Sequence, residues 1–371
     1  MAHARPARTS GRDSPCIHSG GGAGADWGQA LDELKERGYD AVRIDAYPHL
    51  LAEDAGKVWG LEPCWNTQDW GAPARVAVRV HPELVQFIAA CAERGLKVGL
   101  STWFRRDQDN VRVRIVTPER HAKIWQMPLD LIAGAGLLEH ILYVDLCNEW
   151  THPEWAPVFH NRPPHGPGDW DSPASLDWMA RAIAALRVHY PRLPLTFSTN
   201  TKVKSLGEAP VGFMDFLEPH LWMASGNTGD FYARVGYRYE LFSPVGYENL
   251  ARYGEAVYRA DPAHWLGLLT NLIELAAAGS RKAGRPLVTT EAWSVVDFKD
   301  WPGLDWGWVK EGCEVGLRAA LATGRWAALC TSNFCGPQFR GMWRDVAWHR
   351  RLTDEIHRTA LPPPNDVLPR L

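Results

Sequence analysis

The sequence predicts a single (β/α)8 barrel with long strand-to-helix loops. Two observations carry this: short β-rich runs alternate with helical runs along nearly the whole chain, and counting a weak first strand there are eight such units. Strands separated by helices pair in parallel through right-handed crossovers, and eight of them favour a closed barrel over an open sheet. A third observation weighs against the main competitor, a doubly wound sheet. No G-x-G-x-x-G follows an early strand to mark a dinucleotide site. At 371 residues the chain is long for one domain, but a barrel with extended loops fills it.

Residues 1–24 read as a flexible lead-in ending in Ser19-Gly20-Gly21-Gly22-Ala23-Gly24, with a weak first strand near Cys16-Ile17-His18. The catalytic barrel is assigned to 25–371. Asp26 is expected to cap a helix that stops at Gly38, followed by the second strand, Tyr39–Ile44. A helix over Pro82–Arg94 leads to the third, Lys97–Thr102. A helix over Pro118–Ala133 leads to the fourth, Ile141–Leu146. A helix over Ala174–Val188 leads to the fifth, Leu195–Ser198, and Phe213–Leu217 is read as the sixth. Helical runs over Trp265–Ala278 and Gly312–Ala322 precede the seventh and eighth, Pro286–Thr290 and Trp326–Cys330. A last helix begins near Asp345.

Composition narrows the partners. A net charge of −3 and the lack of basic runs interleaved with aromatics argue against nucleic acid. No stretch approaches the roughly 20 apolar residues of a membrane span. The seven cysteines are odd in number and lack Cys-x-x-Cys or zinc-like spacing, so a reducing compartment and no metal are expected. The polar, Arg-rich stretch Met1–Asp13 has no signal-peptide core, which points to the cytoplasm. Tryptophan is the outlier, with 19 copies. Its flat apolar face and polar N–H match a pyranose ring, although a Trp-rich core would account for many of them.

In such barrels reactive groups sit at the C-terminal ends of the strands. There the sequence places Arg43 and Asp45 (with His49 just beyond), Trp103, Asn148-Glu149-Trp150, His220 and Trp222, Glu291 and Trp293, and Asn333. Glu149 and Glu291 follow apolar β runs directly, on strands four and seven, which face each other across a barrel. Two facing carboxyls can supply the acid/base and the nucleophile of glycoside cleavage with retention. Asn148 could hydrogen-bond a sugar 2-hydroxyl, and Arg43 could keep Glu291 ionised. No cofactor is needed for that chemistry, and no His-x-His at a strand end suggests a metal.

The runs Ala41-Val42-Arg43-Ile44, Cys147-Asn148-Glu149-Trp150, His220-Leu221-Trp222 and Thr289-Thr290-Glu291-Ala292-Trp293 resemble the cellulase-type glycoside hydrolases, the retaining clan that includes glycoside hydrolase family 5. The stretch Gly38–His49 looks like their bacterial cellulase-like branch. The resemblance spans about Asp26 to Asp345. It implies Glu149 as acid/base, Glu291 as nucleophile, and Asn148, Arg43 and His220 as their support. Two positions depart from the pattern: Trp222 stands where an aromatic hydroxyl is usual, and Trp103 where a His is common. Both bear on which sugar is bound.

The expected activity is hydrolysis of β-linked glycosides or short oligosaccharides; the alternatives are transglycosylation and a catalytically silent sugar-binding barrel. Three long segments, Tyr47–His81, Thr151–Ser172 and Met223–Pro262, far exceed the usual loop of about 2–6 residues. They carry Trp59, Trp65, Trp70, Trp155, His160, His165, Trp170, Phe231, Tyr232, Tyr237, Tyr239 and Tyr247. Walls of this size suit a closed pocket and exo action; contacts within a homo-oligomer are the other use for them.

Overall fold

The computed structural model describes residues 7–10, 27–64, 74–161, 169–200, 203–225, 229–238 and 244–360. Its strands are β1 (Ala7–Ser10), β2 (Ala41–Asp45), β3 (Trp59–Leu61), β4 (Val76–Val78), β5 (Lys97–Ser101), β6 (Ile141–Asp145), β7 (Leu195–Thr196), β8 (Leu221–Ala224), β9 (Leu287–Thr289), β10 (Ala292–Val295) and β11 (Trp326–Cys330). Seven form one parallel sheet in the order β7-β6-β5-β2-β1-β11-β9.

The ring closes through the segment leading into β8. Leu217 bridges to Leu287, Pro219 bridges to Thr199, and β8 pairs in parallel with β10 just beyond Glu291. The sixth barrel position is therefore 217–224. The apolar run Phe213–Leu217, read as that strand, is mostly turn. Pro219, which cannot donate to a ladder, and the acidic side chain of Glu218 disguised the true strand.

The first strand also differs from expectation. Ala7–Ser10 lies within the stretch read as lead-in and pairs with both β2 and β11. Cys16–His18 and Asp26 fall outside the described residues, as do Trp65, Trp70, His165 and Tyr239. The other strands begin within two residues of their expected positions, because apolar runs buried on both faces are legible without alternation.

Helices cover the outside, several with side-chain caps. Thr117 accepts from Arg120 N–H at the start of helix Pro118–Gly134, Ser172 from Ser175 N–H at Pro173–Arg187, and Asp261 from His264 N–H at Pro262–Ala283. Inside the barrel, below the site, Ala41, Tyr143, Phe216, Val288 and Ala328 form a separate apolar plug. The Tyr143 and Phe216 rings meet edge to face at 5.1 Å. Gly99 makes room for them, since a Cβ there would lie 2.6 Å from the Tyr143 ring.

The long loops carry structure of their own. The first holds the β3–β4 hairpin, and the third holds helices Phe231–Val235, Pro244–Asn249 and Glu255–Ala260. Trp59, Trp155, Trp170, Phe231, Tyr232, Tyr237 and Tyr247 are all buried, so these aromatics build the walls rather than a bare aromatic surface. No helix among the described residues is long and apolar enough to cross a membrane.

Candidate active site

Strand ends β2, β6, β8 and the β9–β10 junction bring Arg43, Asn148, Glu149, His220 and Glu291 together. All are at most 3% exposed. Arg43 is the hub. Its Nη1 donates to Glu291 Oε1 at 3.0 Å, and its Nη2 donates to Asn148 Oδ1 at 2.6 Å, Ser101 Oγ at 2.9 Å and Asp145 Oδ2 at 3.0 Å. Burial works against the Arg43 charge, but the acids around it, with Asp145 and Glu291 in direct contact, more than compensate, and the guanidinium holds its proton more tightly than usual. The indole of Trp103 lies against it, 4.6 Å from ring centre to guanidinium carbon.

Glu149 is set by its backbone. Its φ of 48° is left-handed, and its N–H donates to Ser198 Oγ at 2.8 Å. Ser198 is in turn fixed by Asp145, which accepts from both its N–H and its hydroxyl at 2.9 Å. His220 Nδ1 stands 2.9 Å from Glu149 Oε1 and 3.7 Å from Glu291 Oε2. Burial alone would lower the His220 pKa; Glu291 and Glu149 overcome it and raise the value above the ordinary one. One oxygen of Glu149, one of Glu291 and the His220 nitrogen all lie within 4.8 Å of one another.

The remaining sequence candidates divide. Trp222 stays close, its ring 5.7 Å from that of His220. Asp45 accepts from Tyr47 N–H at 2.8 Å and from Trp103 N–H at 3.2 Å, tying two loops together. Burial pushes its carboxyl up to about 6, against the pull of those two bonds. His49 lies 3.0 Å from the Arg105 carbonyl, and burial drives its pKa down to about 3. Trp293 is not brought to the carboxyl pair: its indole donates to the Cys330 carbonyl at 3.0 Å and packs beside Trp326. The Asn333 amide donates to the Val296 carbonyl at 3.3 Å.

Two acids in this layer were not singled out from sequence. Asp145 anchors Arg43, Ser101 and Ser198, and Glu218 accepts from Thr290 Oγ1. The available signal was an acid ending, or inside, an otherwise apolar buried strand.

The profile of the sugar-binding cellulase-like family matches residues 17–357. The chain belongs to that family. A candidate glycoside hydrolase from Parabacteroides distasonis is 48% identical to this cellulase-like chain, with 97% of this chain and 95% of the other covered and a TM-score of 0.92. A family 5, subfamily 18 glycoside hydrolase from Bifidobacterium longum subsp. infantis shares the fold at 14% identity, with coverage of 97% and 81% and a TM-score of 0.55. So does an endo-β-1,4-mannanase from Thermotoga petrophila, at 10% identity, 96% and 78% coverage and a TM-score of 0.52. No curated protein matches the sequence.

Proposed function

We propose that this cellulase-like barrel is a retaining glycoside hydrolase of β-linked glycosides or short oligosaccharides, with Glu149 as acid/base and Glu291 as nucleophile. The spacing of the two carboxyls carries the reading. One oxygen of each lies within 4.8 Å of the other, a close approach that suits carboxyl groups standing ~5–5.5 Å apart as in retaining enzymes. The 48%-identical candidate glycoside hydrolase supports the reaction class.

In the first step a Glu291 oxygen attacks the anomeric carbon while the glycosidic C–O bond breaks. The bonding pair leaves on the departing oxygen, which takes the Glu149 proton. In the second, a water gives its proton to Glu149 and displaces Glu291, restoring both groups. Arg43 holds the attacking carboxylate in place. Asn148, fixed through Oδ1, keeps its amide N–H for the sugar 2-hydroxyl. His220 orients Glu149, while Trp103 and Trp222 supply flat walls. A reducing, cytoplasmic setting fits the six unbridged cysteines among the described residues.

A 2-fluoro glycoside of the correct configuration should add its sugar mass to the peptide containing Glu291, and Glu291→Ala should abolish turnover without unfolding the chain. Glu149→Ala should slow poor leaving groups far more than activated aryl glycosides, with azide rescue giving a β-glycosyl azide. Retained activity in Glu291→Ala, or equal losses on both substrate types, defeats the assignment.

A further inference from the structure

Arg43 faces three fully buried carboxyls: Asp145 and Glu291 at 3.0 Å each, and Glu218, whose Oε1 is 4.0 Å from Arg43 Nε. One guanidinium cannot balance three carboxylates in a dry interior, where an uncompensated charge costs several kcal/mol. Glu218 has the weakest claim. Its Oε1 takes only the Thr290 hydroxyl, and its Oε2 has no hydrogen-bond partner among the described residues, a deficit that costs a buried anion far more than a neutral acid.

We infer that Glu218 is a proton-holding positioning residue, a neutral carboxylic acid that grips Thr290, the neighbour of Glu291, and leaves the charge of Arg43 to Glu291 and Asp145. The groups facing it are Arg43 from β2, Asp145 from β6, His220 two residues along its own segment, and Thr290. Burial raises the pKa of Glu218 and Asp145 pushes it further up; Arg43, His220 and the Thr290 hydrogen bond pull it back without cancelling the rise. The inference goes beyond the assignment of Glu149 and Glu291, and only its kinetic arm rests on that assignment.

Infrared spectroscopy of the full-length protein at neutral pH tests the protonation state without any substrate. The carbonyl stretch of a protonated carboxyl should persist in Glu149→Gln, which removes the acid/base proton, and vanish when Glu218→Gln is added to that variant. With an aryl glycoside, Glu218→Ala should lower kcat at least tenfold with KM within twofold. Glu218→Gln should restore most of that loss and keep the acid limb of the kcat/KM profile in place. Absence of the band in Glu149→Gln, an acid limb shifted by about one pH unit in Glu218→Gln, or an unimpaired Glu218→Ala would each overturn the inference. Should wild type cleave no glycoside, the functional assignment fails while the infrared result still decides the proton.

Discussion

The acids of the site occupy two kinds of position along the strands. Glu149 and Glu291 stood out because an acid directly after an apolar β run has little reason to be there except chemistry. Asp145 and Glu218 were hidden because they end or interrupt the buried runs themselves, and only the assembled barrel shows Arg43 between them. Asp45 was visible as a polar strand end, yet its two backbone bonds give it a scaffolding job that spacing could not reveal. Its titration makes that job measurable. The folded chain releases the Asp45 proton near 6, whereas an unfolded chain releases it near 3.9. Below the lower value both states are protonated and the Asp45 contribution is fully present. As pH rises toward 6 the unfolded state ionises first, and wild type loses on the order of 2–3 kcal/mol. Asp45→Asn cannot titrate, so denaturant unfolding should show it gaining on wild type across that window. A constant gap from pH 4 to pH 7 would mean that Asp45 does not ionise differently on folding.

At the scale of elements, long apolar strands and amphipathic helices were legible, and the failures were local. Ala7–Ser10 is polar and short, and it is a strand only because β2 and β11 offer edges on both sides. The segment around β8 contains a proline and an acid, and its pairing is with residues far along the chain. Tertiary context decided both. Gly99 on β5 shows how tightly the elements depend on one another. A methyl group there would sit 2.6 Å from the Tyr143 ring that plugs the barrel under the Arg43 layer. Gly99→Ala should cost about 1–3 kcal/mol by overpacking, measured as a lower denaturation midpoint at unchanged slope. Adding Tyr143→Leu should recover part of that loss; strictly additive losses in the double variant would show that the ring is not the obstacle.

For the molecule as a whole, we propose that the described parts of the three long segments, with their buried aromatics, build a pocket that takes the end of a short glycoside. Incubation with a soluble β-glucan or mannan should release monosaccharide or disaccharide with little change in viscosity. An early drop in viscosity with long oligosaccharides first would indicate an open groove. The backbone at Glu149 has a wider consequence for the energetics of the fold. An L-residue at a φ of 48° holds a conformation that costs on the order of 1 kcal/mol or more unless the residue is glycine. At ordinary positions alanine is the more stabilising substituent; at 149 the order should invert, with Glu149→Gly melting above Glu149→Ala although both have lost the same carboxyl. One backbone torsion would then rank two equally inert substitutes, in the reverse of the order that the interior of a helix or strand imposes.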